Sequence, residues 1–135
     1  KNNQLNGEPI SEEDINAFKA LLPSQTKVYL FTFENQTFTS TLTLVANISQ
    51  AIMNSSIVLI YYYPSTEQDG AWYALPGPGP SGAYVLRVKY DRTSEDPEQY
   101  TFTINAHNFS TGAANTSSKT FIKIRIYVIQ QFPIT

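Results

Sequence analysis

The closing segment TFIKIRIYVI, residues 120–129, constrains the fold more than any other part of the chain. Nearly every second side chain is aliphatic, and successive side chains of a strand point to opposite faces. This period of two predicts a half-buried β-strand. Its predicted inward side chains are Ile122, Ile124, Ile126 and Val128, and its predicted outward ones are Lys123, Arg125 and Tyr127.

The same period recurs through most of the chain after Lys27. The run SIVLIYYY, residues 56–63, is instead apolar at consecutive positions, which predicts a central strand. Strands are predicted at 27–33, 37–46, 56–63, 71–75, 83–90, 100–107 and 120–129. Within 37–46, the predicted inward side chains are Phe38, Leu42 and Leu44, opposite Thr39, Thr41 and Thr43. Turns or loops are predicted at 34–37, 64–70, 76–82, 91–99 and 108–118.

About seven strands separated by turn signals predict an all-β fold, an antiparallel β-sandwich. A parallel α/β sheet does not fit, because it needs a helix between consecutive strands. The sandwich is predicted to form a single domain over residues 27–135. Residues 1–26 are predicted to form an N-terminal tether and a short helix.

That helix is predicted over SEEDINAFKALLP, residues 11–23. Ser11 is a good N-cap, and the acidic residues that follow it lie at the positive end of the helix dipole. One apolar stripe is formed by Ile15, Phe18, Leu21 and Leu22. A second, single helical turn is predicted in NISQAIMNS, residues 47–55, capped by Asn47 or Ser49 and crossing between the two sheets.

The composition argues against several classes of partner. Charged residues make up 15% of the chain and the formal net charge is −2, so no basic face for nucleic acid and no polybasic run for anionic lipid is expected. No apolar run is long enough to span a bilayer. The chain has no cysteine, which excludes disulfides, thiolate metal sites and cysteine nucleophiles.

No catalytic or metal-binding set is recognisable. His107 is the only histidine and has no acidic neighbour in the sequence, so a structural or surface role is predicted for it. The acidic residues of 91–99 match no calcium motif and are interpreted as a solvated loop. The motif G-x-S-x-G does not occur. The chain is therefore predicted not to be an enzyme, with no catalytic residue, metal or cofactor.

The aromatic residues of 61–73 allow two interpretations. Tyr61 and Tyr63 share one strand face and Tyr62 the other, whereas Trp72 lies opposite Tyr73. If 57–63 and 71–75 form a hairpin, Tyr63, Trp72 and Tyr73 are candidate rings for stacking on a sugar or a protein partner. The alternative is that one set fills the core. Under that interpretation the W-x-x-LP motif places Trp72 inside while Leu75 and Pro76 fix the turn.

The order of these motifs resembles a family of exported Bacteroidetes proteins of uncharacterised function. The resemblance lies in TSTLTLVANISQAIMNSSIVLIYYY, WYALPG and FIKIRIYVI, and covers roughly residues 38–130. Members often carry a lipoprotein signal, and some have a collagen-like stretch in front of this domain. The chain departs from the family pattern at one position, Ser55 or Ser56, where glycine is usual, and has a helix in place of any collagen-like stretch.

The resemblance implies an exported β-sandwich in the periplasm or on the outer cell surface, anchored to the membrane only through a lipid. The start at Lys1 without methionine fits a mature form whose targeting segment has been removed. We expect a binding or structural module whose partner is a polysaccharide or another surface protein. Two specific alternatives are a carbohydrate-binding module and an adhesion or assembly subunit that pairs through an edge strand, 27–33 or 119–129.

Overall fold

Two antiparallel four-stranded sheets form the body of the protein, as predicted. The computed structural model describes residues 11–20, 25–64 and 71–132. The predicted tether, most of the predicted turn 64–70 and the C-terminal Pro133 lie outside these residues. The elements are α1 (Glu12–Ala20), β1 (Gln25–Phe38), β2 (Thr41–Ala46), α2 (Gln50–Asn54), β3 (Ser56–Pro64), β4 (Tyr73–Leu75), β5 (Gly77–Pro78), β6 (Tyr84–Glu95), β7 (Glu98–Asn108) and β8 (Lys119–Phe132).

The strand order is β1-β8-β3-β4 in the first sheet and β2-β7-β6-β5 in the second. The inward faces of both sheets form one apolar core, in which Phe102, Ile104, Ile124 and Ile126 are fully buried. Leu42 and Leu44 are buried as predicted, and Thr39, Thr41 and Thr43 are exposed. The alternation of apolar and polar side chains therefore predicts correctly which face of β2 lies toward the core.

Strand β8 departs from the predicted alternation near its start. Its register with β3 shifts by one residue, since Tyr63 lies opposite Lys123 whereas Pro64 lies opposite Phe121. Ile122 is the extra residue and is only half-buried, so the prediction that it faces inward was wrong. The shift reverses the phase of the residues before it and places Phe121 in the core.

Strand β1 is longer than predicted. The segment ENQT at 34–37 was expected to turn, but Glu34 remains opposite Lys123 and Gln36 opposite Phe121. Asn35 takes a positive φ of 53°, which asparagine tolerates better than most residues, without ending the strand. Pairing with β8 therefore overrides the local turn signal, and the chain turns after Phe38 instead.

The helical turn α2 crosses from the second sheet to the first, as predicted. Strand β2 precedes it in one sheet and β3 follows it in the other. Ser49 is the N-cap, because its hydroxyl accepts a hydrogen bond from the backbone N–H of Ile52 at 3.2 Å. Met53 is buried against the core. One short amphipathic turn is thus enough to connect the two layers.

The segment 91–99 is mostly strand, although it was interpreted as a loop. Strand β6 continues to Glu95 and β7 begins at Glu98, so only Asp96 and Pro97 form the turn. Arg92 pairs with Glu98 at 3.0 Å across this hairpin. The acidic residues are therefore distributed along two paired strands, and backbone pairing decided the structure in spite of the polar composition.

Tyr62 is fully buried. Its substitution measures how much an unpaired hydroxyl group lowers the stability of this core. Its ring stacks on Phe121 at 4.1 Å and on Tyr73 at 5.5 Å, but its hydroxyl has no hydrogen-bond partner. Burial raises the pKa of this phenol well above its ordinary value of 10.0, and the neighbouring Tyr84 and Tyr73 raise it further. The unfolded chain therefore loses this proton at a lower pH than the folded chain does.

We expect Tyr62→Phe to leave the free energy of unfolding unchanged or to raise it by up to about 1 kcal/mol at pH 7, because a buried unpaired hydroxyl is removed. Stability from this group is fully present below about pH 10 and falls as the pH rises above that value, so the variant should lose less stability there. Urea unfolding at pH 7 and pH 11 measures both effects. Tyr62→Ala is the control and should cost roughly 3–5 kcal/mol. A clear loss of stability in Tyr62→Phe at pH 7 would contradict the conclusion that the Tyr62 hydroxyl is buried without a hydrogen-bond partner.

Candidate functional site

The first sheet has an outward surface, which we call the outer face. Its side chains alternate with the buried ones along β1, β8 and β3 and continue onto the segment that includes β4. Its members are Val28, Leu30, Thr32, Glu34, Lys123, Arg125, Tyr127, Ile129, Ile57, Leu59, Tyr61, Tyr63, Trp72 and Ala74.

One half of the outer face is apolar. The strand register places Val28, Ile129 and Ile57 side by side in one row. The next row contains Leu30, Tyr127 and Leu59. The exposed fractions are 54% for Val28, 51% for Leu30, 55% for Ile57 and 39% for Leu59. An apolar patch that continues across three strands is unusual for a solvent-facing sheet and is typical of an interaction site.

The other half of the outer face is aromatic and cationic. Trp72 is 40% exposed, so the interpretation that it packs inside was wrong. The reason is the pairing of β3 with β4, which puts Tyr61 opposite Ala74 and turns Leu75 into the core. Trp72 lies two residues before Ala74 and shares its outward side. The guanidinium of Arg125 lies 4.7 Å from the centre of the indole ring, a cation–π contact.

The three predicted site residues do not form one platform. Tyr63 and Trp72 are brought together on the outer face, with ring centroids 5.6 Å apart, but their planes are tilted by 47°. Tyr73 lies on the opposite side of β4 and stacks on buried Tyr62. The hairpin was therefore predicted correctly, and so was the position of Trp72 on the face opposite Tyr73. The grouping of all three rings in one platform was wrong, because Tyr73 lies on the inward face.

The side-chain types of the outer face suit protein recognition. Tryptophan, tyrosine and arginine are the residues most enriched among those that dominate binding energies. Here they lie beside an apolar area, and the only carboxylate of this surface within the described residues is Glu34, in register with Lys123. The arrangement offers apolar contact and a weakly positive rim.

A second polar cluster, at the end of the core, was missed by the sequence reasoning. Lys119 is 6% exposed although it begins strand β8. Its ammonium donates to the carbonyl oxygens of Thr39 at 2.6 Å and Ser117 at 2.7 Å. It also donates to Asn115, at 2.7 Å to Oδ1 and 3.2 Å to the carbonyl oxygen. The ring of Tyr84 lies 4.8 Å from the same nitrogen.

Burial lowers the pKa of the Lys119 ammonium. The oxygens around it supply the hydrogen bonds that water would otherwise provide, which keeps the buried donor satisfied. A cavity of about 290 Å³ lies beside it, lined in part by Pro80, Tyr84 and Phe121. Because its donors already point at protein oxygens, Lys119 ties two connecting segments to the core and is not a free cation for a ligand.

The remaining candidates of the sequence analysis are His107, a metal site, a membrane span and the edge strands. His107 Nδ1 lies 3.2 Å from the carbonyl oxygen of Gly112, which ties it to the loop before β8. In the described part of the chain, no group of three or more histidine, aspartate or glutamate side chains is placed to hold a metal ion. The same residues include no helix long and apolar enough to cross a membrane.

Strand β8 is interior to its sheet, so the prediction that 119–129 forms an edge was wrong, whereas β1 does form one.

We expect Lys119→Met to lower the free energy of unfolding by about 2–3 kcal/mol, because buried carbonyl oxygens lose a charged donor while the volume is nearly kept. Lys123→Met is the matched control, since Lys123 lies on the outer face of the same strand. It should change stability by less than about 0.5 kcal/mol. Urea unfolding of both variants at pH 7 measures the difference. Equal stabilities would show that the Lys119 hydrogen bonds do not hold the loops.

Comparison with known proteins gives no relative from which a role could be transferred. No protein-family model, no curated protein and no solved structure matches the chain. The resemblance to exported Bacteroidetes proteins therefore rests on the strand motifs alone, and any functional assignment has to come from the surface of the molecule.

Proposed function

We propose that this chain is a non-enzymatic binding module of an exported protein and that it binds a protein partner through its outer face. The observation that carries the proposal is the continuous apolar half, in which Val28, Leu30 and Ile57 are each more than half exposed. A sheet surface that only faces water normally alternates to polar residues at these positions.

Burial of this surface would supply useful binding energy. Complete burial of one valine, leucine or isoleucine side chain contributes roughly 1.5–3 kcal/mol, so covering the exposed half of one contributes about 1 kcal/mol. Four such side chains and the neighbouring rings approach the roughly 8 kcal/mol of a micromolar complex before the costs of association are subtracted. A partner of moderate affinity fits this surface.

The proposal that the module does not catalyse a reaction is supported by the chemistry of the same surface. Glu34 is its one carboxylate among the described residues, it lies in register with Lys123, and no histidine of the described residues belongs to this surface. Hydrolase turnover that disappears on substitution of one carboxylate or serine would overturn the proposal that the module is not an enzyme. Export to the periplasm or outer surface, with a lipid anchor as in some similar proteins, is supported by the sequence resemblance alone.

Carbohydrate binding is the second candidate, and the exposure of Trp72 favours it. The tilt between Tyr63 and Trp72 does not favour it, since a sugar ring stacks best on a flat aromatic surface. Titration of polysaccharides against the fluorescence of Trp72, the only tryptophan, separates the two functions. A saturable change that Tyr63→Ala abolishes, with no effect of Val28→Lys, would favour the sugar, because the Trp72 signal is kept in both variants.

Assembly through an edge strand is the third candidate, favoured by the length of β1. This strand runs over Gln25–Phe38 and has no paired strand on its free side among the described residues. Such an edge can accept a strand from another chain. Sedimentation over a range of concentrations tests pairing between copies: a monomer at every concentration would exclude it.

We expect Val28→Lys to abolish or weaken by at least about tenfold the binding of peptides selected on the wild-type chain from a random display library, since it puts a charge in the apolar half. Val45→Lys is the matched control. Val45 is 47% exposed, close to the 54% of Val28, but lies on β2 in the other sheet. Fluorescence polarisation of labelled peptides measures the affinities. Equal binding to both variants would move the site away from the outer face.

A further inference from the structure

We infer that the partner of the outer face is an acidic protein segment, which presents aliphatic side chains to the apolar half and carboxylates to Arg125 and Lys123. This inference rests on the proposed function, because it names the chemistry of the partner at the same surface. It starts from these two cations, which lie on the outward side of β8 and are both half-buried. A cation that is partly withdrawn from water gains from an anion beside it, because the anion replaces lost hydration.

The guanidinium of Arg125 is held in place while its hydrogen-bond donors stay available. Its central carbon lies 4.7 Å from the centre of the Trp72 ring. A cation–π contact occupies no hydrogen-bond acceptor, so the N–H groups remain free to bind an anion. Within the described residues none of them has an acceptor, and the ion pair found there joins Arg92 and Glu98. The planar fork of an arginine matches the two oxygens of a carboxylate.

The residues beside Arg125 do not neutralise its charge. Its row of the outer face contains Thr32 on one side and Tyr61 on the other, and neither is ionised at pH 7. Glu34 lies one row away, opposite Lys123, and these two described residues form no ion pair. The aromatic surroundings also lower the local dielectric constant, which strengthens the attraction of an incoming carboxylate.

The spacing of the rows sets the order of chemical groups in the partner. Neighbouring rows lie two residues apart along the strands, which is about 7 Å. Carboxylates over Arg125 and Lys123 are therefore about 7 Å apart, and the aliphatic contacts begin about 7 Å farther on, over the row of Tyr127. The four rows from Val28 to Lys123 span about 20 Å. A matching segment is aliphatic over one half of that length and acidic over the other.

The apolar half makes a protein segment a better match than an acidic polysaccharide. A polysaccharide carries carboxylates and rings that suit Arg125 and Trp72, but it has no aliphatic side chains for the rows of Val28 and Leu30. Those rows lie directly beside the cationic half, so one continuous ligand contacts both. Only a polypeptide supplies aliphatic groups and carboxylates at this spacing.

Parallel selections from one random peptide display library test the charge of the partner. The wild-type chain should select peptides enriched in aspartate and glutamate, whereas Arg125→Glu/Lys123→Glu should select peptides enriched in lysine and arginine. Arg87→Glu is the matched control, because Arg87 is exposed on β6 in the other sheet. It should select acidic peptides, as the wild type does. Urea unfolding establishes that each variant is folded before selection.

A single neutral substitution tests the same inference if the double variant does not fold. We expect Arg125→Gln to weaken the acidic peptides by about tenfold, since a charge-assisted hydrogen bond is lost, and Arg87→Gln to leave their affinity unchanged. Fluorescence polarisation of labelled peptides measures both. Added salt should weaken binding to the wild type more than binding to Arg125→Gln, a difference that a purely structural role of Arg125 would not produce.

Peptides of the same charge from the wild type and the double variant would overturn the inference, and so would equal affinities of Arg125→Gln and Arg87→Gln. These outcomes are distinct from failure of the proposed function. If Val28→Lys abolishes binding while Arg125→Gln does not weaken it, the binding surface stands and the acidic partner fails. Saturable binding of polygalacturonate that Arg125→Gln abolishes, with no peptide selected, would overturn both in favour of an acidic polysaccharide.

Discussion

The structure depends on the pairing of β8 with β1 on one side and β3 on the other. Because β8 is the interior strand, its inward residues Ile124, Ile126 and Val128 are completely buried, and they fix which face of both neighbours enters the core. The same pairing aligns the outward residues of three strands into rows. The core and the outer face are therefore two consequences of one register, and a shift of one residue would exchange them.

The β-sandwich could be predicted from the sequence, because the alternation of apolar and polar residues indicates which side chains are buried. The helical turn between the sheets could be predicted because Ser49 is a good N-cap. The features that could not be predicted depend on which strands pair and in which register. The register shift at Ile122 reverses the phase of β8 before it and turns Lys119 inward, which no local pattern of a lysine indicates. The grouping of Trp72 with Arg125 likewise depends on which strands are neighbours, and neighbours are not visible in one sequence.

Strand β3 shows how an exposed apolar surface can be mistaken for a core. Its consecutive apolar residues predict burial on both sides, and β3 is indeed interior to its sheet. Yet only one of its faces is covered, since Ile60 is buried while Ile57 and Leu59 remain exposed. The prediction of a central strand was therefore correct for the position of β3 in its sheet. The second sheet covers only the inward face of β3, so apolar residues on both faces did not mean burial of both faces.

An uncovered apolar sheet beside a long free edge is an aggregation hazard as well as the proposed binding site, because both features promote association between chains. Charged residues at edges usually reduce that risk, but β1 carries only Lys27 and Glu34 over its fourteen residues.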